Sequence, residues 1–271
     1  MATHQGSAAA RAGQERYTHG YGTAIVAHMA QRTAEREAAF FLPHLRPGMR
    51  LLDLGCGPGT ITLGLARAVA PGEVVGVDIA PGQVDRARAL VAEQGVANVR
   101  FAVARAEALP FPDGSFDAGF EHAVLEHVAD PLAVLRELRR VLRPGGLVGA
   151  RDGDRGPLLV TPPCPELEQV NALYDRLWQR NGGDPRLGRR QRRLLREARF
   201  TPLETTLEAD ALPIYAVLAL RAAPDFAARV VELGWIDRAT FEGWQAPIAA
   251  WARDPDALIG LFWFSTVARR D

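Results

Sequence analysis

"LLDLGCGPGT", Leu51 to Thr60, is the stretch from which the architecture of this chain can be worked out. A short apolar run gives way to glycines at alternate positions, Gly55, Gly57 and Gly59, and a helical pattern follows. Glycine permits tight turns and lets another molecule approach the backbone closely. The stretch therefore predicts a strand, a turn and a helix, with a ligand lying against the turn.

Apolar runs alternate with helical patterns from this stretch as far as Ala150. The predicted strands cover residues 50–54, 74–77, 99–103, 117–120 and 147–150, and the predicted helices cover 60–69, 82–94 and 131–142. Such alternation is typical of a parallel sheet with helices on both faces, and ligands of these sheets bind beyond the carboxyl ends of the strands. One crevice should therefore be lined by the residues that follow predicted strands: Gly55 to Gly59, Asp78, Arg105, Ala106, Glu121 and His122.

The pattern changes before and after this part of the chain. Helices are predicted at 23–42, 166–180 and 188–198, and two further strands at 200–207 and 261–267. Between those strands, about residues 211–255 predict a helical cap over the strand ends, rich in Trp and Phe. These aromatic side chains either line an apolar ligand pocket or only fill a core. The "RDGD" run, Arg151 to Asp154, is either a surface turn or a substrate contact.

The composition narrows the classes of function. The chain has 271 residues with 32 basic and 32 acidic side chains, so its net charge gives no bulk attraction to nucleic acid or to an acidic membrane. The two cysteines, Cys56 and Cys164, have neither metal-ligand spacing nor the density of a disulfide framework. No apolar run is long enough to cross a membrane, and no signal-peptide pattern begins the chain. We expect a cytoplasmic protein without a metal, and its oligomeric state stays open.

A carboxylate about 20 residues after a glycine loop is typical of a site that holds ribose hydroxyls. Asp78 is such a carboxylate, and it fits either NAD or another adenosine ligand. The loop has the spacing G-x-G-x-G, whereas a dinucleotide loop has G-x-G-x-x-G. Asp53, just before the loop, would favour a ligand with an ammonium group over a diphosphate. These features disfavour an NAD-dependent oxidoreductase.

Four motifs in order resemble those of class I S-adenosylmethionine-dependent methyltransferases. They are "LLDLGCGPGT", "VVGVDIA", "ARAEALPFPDGSFDAGFEHAVLEHVADP" and "RVLRPGG", and they cover about residues 45–150. The resemblance is to the small-molecule branch, methyltransferase type 11, which includes ubiquinone and menaquinone C-methyltransferases. It implies an α/β fold with a doubly wound, mostly parallel, Rossmann-like sheet of seven strands, an antiparallel last strand and a helical cap insertion. Residues 1–44 would be a helical segment that closes over the cofactor, and 45–271 the methyltransferase domain.

The resemblance also implies S-adenosyl-L-methionine as the cofactor and a role for each matching residue. The backbone of Gly55, Cys56 and Gly57 would face the methionine part, with Asp53 behind it. The remaining expected contacts are Asp78 to the ribose hydroxyls, Ile79 and Ala106 to adenine, Glu121 and His122 to the methyl region, and Tyr21, with Tyr17 and His19, from the N-terminal segment.

One residue departs from the family pattern. Arg105 stands where the family usually has an Asp that accepts a hydrogen bond from the adenine amine. Arginine only donates hydrogen bonds and cannot take that role. Either a backbone carbonyl replaces the Asp, or Arg105 stacks on adenine or turns to solvent.

We expect methyl transfer to a small, apolar organic acceptor, in specialised metabolism and without nucleic acid or membrane partners. His122 is the first candidate for a general base and His127 the second, although an acceptor that ionises by itself needs neither. The alternative is a cofactor-binding protein of the same fold that catalyses a non-methylating reaction such as cyclisation. Arg105 is the residue that suggests this alternative.

Overall fold

The computed structural model describes residues 23–212 and 224–271. The expected contacts of Tyr17, His19 and Tyr21 lie outside the described residues. Within the two ranges seven strands form one sheet in the order β3-β2-β1-β4-β5-β7-β6. The strands are β1 (Leu51–Leu54), β2 (Val74–Asp78), β3 (Val99–Val103), β4 (Phe116–His122), β5 (Leu142–Thr161), β6 (Phe200–Leu212) and β7 (Leu258–Arg270).

Helices connect these strands and cover the sheet. They are α1 (Thr23–Met29), α2 (Ala34–Glu37), α3 (Thr60–Val69), α4 (Pro81–Glu93), α5 (Pro131–Val141), α6 (Pro165–Arg180), α7 (Gly188–Glu197), α8 (Pro224–Glu232), α9 (Arg238–Gly243) and α10 (Gln245–Trp251). Several begin where local chemistry favours a start: Asp130 accepts a hydrogen bond from Ala133 N ahead of α5, and Asp237 one from Thr240 N ahead of α9. None of the helices in the described ranges is long and apolar enough to span a membrane.

The register of the sheet brings the ends of β1, β2 and β4 together. Leu54, at the end of β1, pairs with Val77 on one side and with Glu121 on the other, and all three strands are parallel. β7 runs antiparallel to both β5 and β6. The predicted fold class, a doubly wound and mostly parallel sheet with an antiparallel last strand, is confirmed.

The N-terminal helix is broken, which the amphipathic pattern of 23–42 does not reveal. Thr33 is extended, with φ −132° and ψ 158°, and it separates α1 from α2. The break lets Ala34 pack closely on Gly64 of α3. Met29, at the end of α1, remains beside the glycine loop, where Thr60 Oγ1 donates a hydrogen bond to its carbonyl at 3.5 Å. Packing of two short helices on different neighbours therefore replaces one long helix.

The "RDGD" run is part of a long strand, so the expectation of a surface turn is wrong. Arg151 pairs with Ser265 and Asp154 with Phe262 of β7, and both charged residues are buried. Arg151 is neutralised by Glu208 at 2.7 Å and lies over the ring of Trp263, 4.9 Å from its centroid. From the local pattern, the strand is predicted to end at Ala150. Hydrogen bonds from a neighbouring strand and buried ion pairs allow the polar sequence that follows to continue it.

The described part of the 211–255 segment consists mainly of helices α8, α9 and α10. They pack with α6 and the far ends of β5 and β7 into a separate apolar cluster, which we call the second core. Its buried members are Cys164, Leu167, Val170, Tyr174, Leu177, Trp178, Phe226, Val230, Phe241, Ile248, Trp251 and Ile259. The extension of β5 and β7 beyond the parallel sheet therefore provides the surface on which these helices pack.

Candidate active site

The carboxyl ends of β1, β2 and β4 surround a cavity of about 170 Å³, which we call the main cavity. Because parallel strands end at one edge of a sheet, their following loops converge there. The main cavity is lined by Met29, Arg32, Gly55, Asp78, Ile79, Ala106, Glu107, His122, Ala123, Val124, His127 and Val128. A smaller cleft of about 20 Å³ shares Met29, Arg32, Gly55 and His122 with it and adds Asp53, Cys56, Gly57, Pro58, Thr60 and Ile61; this is the loop cleft.

The glycine loop needs its glycines for two reasons. Gly55, Gly57 and Gly59 have φ values of 72°, 51° and 86°, a region that side chains disfavour. A Cβ atom on Gly55 would also overlap the side chain of Val124. The amides of Gly55 and Cys56 donate to the carbonyl of Val77 at 2.8 and 2.9 Å, which holds the loop on β2. The result is a largely buried turn of backbone that lines both cavities.

Asp78, at the end of β2, has the environment of a ribose ligand. Its two carboxylate oxygens accept hydrogen bonds from Gly57 N at 3.0 Å and Ala80 N at 2.9 Å. Burial raises the pKa of Asp78, and these backbone bonds oppose the rise. A carboxylate has about four acceptor positions, so two remain for hydroxyl groups. Next to it, Ile79 is 44% exposed although apolar, which leaves a surface for a flat ring.

Asp53 lies at the base of the loop cleft and is 3% exposed. Its Oδ2 accepts a hydrogen bond from Thr62 Oγ1 at 2.6 Å. Burial raises the pKa of Asp53 to about 7, against the opposing effect of that bond. Burial likewise raises the pKa of the Cys56 thiol, so the loop cysteine stays protonated and contributes its backbone. A cationic group in the cleft would stabilise the ionised form of Asp53.

Arg32 and Met29 line both cavities, although the sequence pattern does not predict either as a site residue. Met29 ends α1 and Arg32 follows it, and no motif marks either residue in "AHMAQRTAERE". Arg32 forms no ion pair with any carboxylate of the described residues, and its charge helps lower the pKa of both His122 and His127. The sequence signal for these residues is that they belong to the segment preceding the glycine loop, but that signal does not identify which residue of the segment reaches the site. A guanidinium here suits a carboxylate ligand.

His122 ends β4 and faces both cavities, but it is almost fully buried. Burial, with the charges of Arg32 and Arg151, holds its pKa well below the usual 6.5. The ring lies 5.0 Å from that of Trp263, and its Nε2 is 3.7 Å from Glu37. Neither ring nitrogen has a hydrogen-bond partner among the described residues. A neutral imidazole with an open nitrogen can accept a proton from a bound molecule.

His127 also lines the main cavity, where it is held from two sides. Its ring stacks on Trp178 of α6, with 4.6 Å between centroids and an interplanar angle of 5°. Its Nε2 is 3.5 Å from the Glu126 carboxylate. Burial lowers the pKa of His127 to about 3, so it is neutral near pH 7. Through this stack the second core reaches the main cavity by α6, whereas neither the main cavity nor the loop cleft is lined by a described aromatic residue of 211–255.

Two expected contacts differ in the structure, because neither side chain lines the main cavity. Side chains alternate along a strand, so Glu121 lies on the side of β4 opposite to His122, which faces the cavity. Glu121 is fully buried, and its carboxylate accepts a hydrogen bond from Val124 N at 3.2 Å. Arg105 begins a tight turn and directs its guanidinium away, with 49% of the side chain exposed and Glu107 at 3.5 Å. Glu107 lines the main cavity in its place.

The residues present fit S-adenosylmethionine. The methionine part of the cofactor would need space beside the backbone of the glycines and charged groups for its ammonium and carboxylate. The ribose would need a hydrogen-bond acceptor, and the adenine ring a flat apolar surface. Asp78, Ile79, Asp53 and Arg32 are of the matching chemical types, and Gly55 lines the cavity with backbone alone, where a Cβ would overlap Val124. In the described ranges no group of three or more His, Cys, Asp or Glu side chains is arranged to hold a metal.

The comparisons with known sequences agree with this architecture. The family described as "Methyltransferase domain" matches residues 52–149. An uncharacterised methyltransferase of Schizosaccharomyces pombe is 38% identical over 144 residues, which are 51% of this chain and 52% of that protein. A ubiquinone biosynthesis O-methyltransferase of Cereibacter sphaeroides is 40% identical over 127 residues, 47% of this chain and 50% of that protein. The chain thus spans about half the length of these curated relatives.

Solved structures share the fold. A putative methyltransferase of Bacillus halodurans superposes with a TM-score of 0.60 at 16% identity, over 91% of this chain and 97% of that one. The [4+2]-cyclase SpnF gives 0.53 at 23% identity, over 91% of this chain and 81% of that one. At such identities the likeness concerns the fold alone. Motif order, sheet topology and the matching family together lead to one conclusion: residues 52–149 form a methyltransferase domain of the class I S-adenosylmethionine-dependent type.

Proposed function

We propose that this chain binds S-adenosylmethionine in the main cavity and the loop cleft and transfers its methyl group to a small, largely apolar organic acceptor of specialised metabolism. The observation that carries the proposal is Asp78, held by Gly57 and Ala80 beside an exposed Ile79. A carboxylate with open acceptor positions next to an apolar shelf is suited to a nucleoside. The glycine loop on its other side is suited to the amino-acid part.

The protein's contribution would be binding, alignment and exclusion of water. Asp53 and Arg32 would hold the ammonium and carboxylate groups of the methionine part, and the backbone of Gly55 to Gly57 would lie along it. Bound in this way, the cofactor supplies a methyl group on a sulfonium for in-line displacement. Met29, at the end of α1, and Arg32, just after it, would cover this part of the site, which supports the expected closing role of residues 1–44.

The acceptor would occupy the part of the main cavity near His122, Val124, His127 and Val128. This wall combines apolar side chains with two buried, neutral imidazoles, a composition typical of small-molecule sites. His122 would accept the proton of a hydroxyl, amine or acidic carbon, since its low pKa keeps it unprotonated. His127, stacked on Trp178, would shape the pocket and stands second as the base. The helices of the second core would cover the acceptor from the side of α6.

A non-methylating reaction such as cyclisation remains the alternative. Arg105 suggested it, because the residue departs from the family pattern. Its guanidinium points away from the main cavity, so the departure says little about the reacting atoms. Mass spectrometry of small molecules retained by the purified protein separates the two. A methylated acceptor formed on incubation supports methyl transfer; turnover of the acceptor without any gain of a methyl group supports the alternative.

Replacing Asp78 tests the nucleoside site directly. We expect Asp78→Ala to weaken binding of S-adenosylhomocysteine by about 1–3 kcal/mol, because buried polar partners lose their acceptor. Titration calorimetry measures the affinity, and thermal melting checks that the variant folds. Asp85→Ala on the exposed side of α4 is the matched control and should bind as the wild type does. Equal affinities for both variants would overturn the assignment of the ribose site.

A further inference from the structure

The turn from Arg105 to Ala108 exchanges the expected positions of two side chains. Ala108 N donates a hydrogen bond to Arg105 O at 3.2 Å, which closes a four-residue turn. The two central residues, Ala106 and Glu107, line the main cavity, whereas the side chain of Arg105 does not. The turn is attached to β2 by a bond from Ala104 N to Asp78 O at 3.1 Å. Glu107 is thus fixed on the same side of the cavity as Ile79.

The direction of a bound nucleoside follows from the neighbouring groups. The glycine loop and Asp53 lie on one side of Asp78, and Ile79, Ala106 and Glu107 lie on the other. With the ribose at Asp78 and the amino-acid part at the loop, the base must extend toward Ile79. Glu107 is the carboxylate available to the base on this side, because the only other carboxylate among the described residues that line the main cavity is Asp78.

The chemistry of the adenine edge requires such a group. The exocyclic amine donates hydrogen bonds and needs an acceptor, which arginine lacks. The Glu107 carboxylate has two oxygens: Oε2 faces Arg105 NH2 at 3.5 Å, and acceptor positions remain for a second donor. With 22% of its side chain exposed, Glu107 is partly desolvated, so a bond made there has more effect than on the open surface.

We propose that Glu107 accepts the hydrogen bond of the adenine amine and that Arg105, outside the cavity, positions Glu107. The pair selects adenine over a base with a carbonyl at the same place. The inference rests on the proposed function, because it concerns the cofactor of that site. An exposed ion pair adds little energy by itself, so Arg105 acts by orienting the carboxylate.

The test compares two ligands by titration calorimetry. S-adenosylhomocysteine carries the amine, and S-inosylhomocysteine carries a carbonyl in its place. We expect the wild type to prefer the first by about tenfold or more, since the second leaves Glu107 facing an acceptor. Glu107→Gln should reduce this preference by about fivefold or more, because the amide can donate to the carbonyl. Arg105→Ala should reduce it less, and Arg105→Lys should largely restore it.

Each outcome decides one statement. Glu197→Gln, at an exposed ion pair with Arg193 on α7, is the matched control and should leave the preference unchanged. Normal binding of S-adenosylhomocysteine with an unchanged preference in Glu107→Gln would overturn this inference while the proposed function stands. An unchanged preference in Arg105→Ala would remove the positioning role alone. If the folded wild type binds neither ligand, the proposed function fails and this inference fails with it.

Discussion

Two carboxyl groups near the ends of neighbouring strands, the buried Asp53 and the half-buried Asp78, have different electrostatic surroundings. Asp78 accepts two backbone hydrogen bonds, whereas Asp53 has Thr62 as its hydrogen-bond donor. The pKa of Asp53 is accordingly raised by burial to about 7. Its protonation therefore changes in the range where an enzyme works, and a ligand that carries a positive charge should shift it.

We predict that binding of S-adenosylhomocysteine releases protons from Asp53 near neutral pH. Before binding, burial keeps the pKa of Asp53 raised to about 7; the ligand's ammonium favours the ionised form and lowers this pKa. Affinity should therefore rise as the pH increases from 6 to 8. Calorimetry in two buffers of different ionisation enthalpy measures the released protons.

Asp53→Asn is the control for this prediction. It keeps an oxygen that can accept from Thr62 but cannot titrate, so both the proton release and the pH slope should largely disappear. A slope that persists in Asp53→Asn would assign the proton to another group, with the half-buried Asp78 as the next carboxyl of the site.

At the level of elements, the junction of β4 and β5 buries three carboxyl groups behind the main cavity. Glu121, Glu126 and Asp152 are all within 5% exposure. Asp152 accepts hydrogen bonds from Gln191 Nε2 at 2.9 Å and Glu126 N at 3.2 Å, and Glu126 accepts one from Gly153 N at 2.7 Å. Burial raises the pKa of all three, and the charge of Asp152 adds to the rise at Glu121 and at Glu126, whose pKa is raised to about 8. This cluster connects the loop after β4 to β5.

We predict that Glu126→Gln becomes stabilising relative to the wild type as the pH rises. The pKa of Glu126 in the folded state is above its unfolded value, so the folded protein loses stability as the pH increases from about 4.5 to 8. The amide keeps an acceptor for Gly153 N without titrating. The charged or titratable groups around it, which the variant leaves in place, are Arg32, Glu121, His127, Asp152 and Arg155.

Urea unfolding at pH 5 and pH 8 measures the effect. The difference in unfolding free energy between Glu126→Gln and the wild type should increase by at least about 1 kcal/mol between these values. Glu197→Gln, exposed on α7, should show no comparable change. The same pH dependence in both variants would mean that Glu126 is already ionised at pH 5.

At the scale of the whole molecule, the second core is built around aromatic side chains that the sequence analysis offered as a possible ligand pocket. Phe226 is 5% exposed and packs on Tyr174 and Phe241, with ring centroids 5.5 and 6.0 Å away. This position favours the alternative that such residues fill a core. The expectation that residues 211–255 cap the active site stays a prediction.

We predict that Phe226→Ala lowers stability without changing cofactor affinity. Removing a buried phenylalanine typically costs about 3–5 kcal/mol, and Phe226 contacts neither cavity of the candidate site. Melting temperature and calorimetry with S-adenosylhomocysteine measure the two effects separately. Leu207→Ala, at a leucine that is 58% exposed on β6, is the control that should lower neither. Lost affinity in folded Phe226→Ala would show that the second core shapes the nucleoside site.

The sequence by itself determined the parallel part of the fold and the positions of Gly55, Asp78, Ala106 and His122. The predicted fold is confirmed and these four residues line one cavity, while their roles stay predictions. The signals are local: a glycine loop after an apolar run and a carboxylate at a strand end specify the backbone within a few residues. Because parallel strands end at the same edge of the sheet, the residues at these ends lie close together without any signal that links them in the sequence.

The tertiary structure alone decided which side chains face the cavity. Glu121 precedes His122 in β4, and Arg105 precedes Ala106 in the turn after β3. Strand alternation and the tight turn direct Glu121 and Arg105 away from the cavity, and Glu107 faces it instead. Arg32 reaches the site because α1 ends beside the glycine loop, a contact between segments that no local pattern encodes. The polar part of β5 is a strand because β7, more than 100 residues later, supplies its hydrogen bonds and buried partners. Local pattern specifies backbone conformation, whereas orientation and pairing depend on neighbours that are distant in the chain.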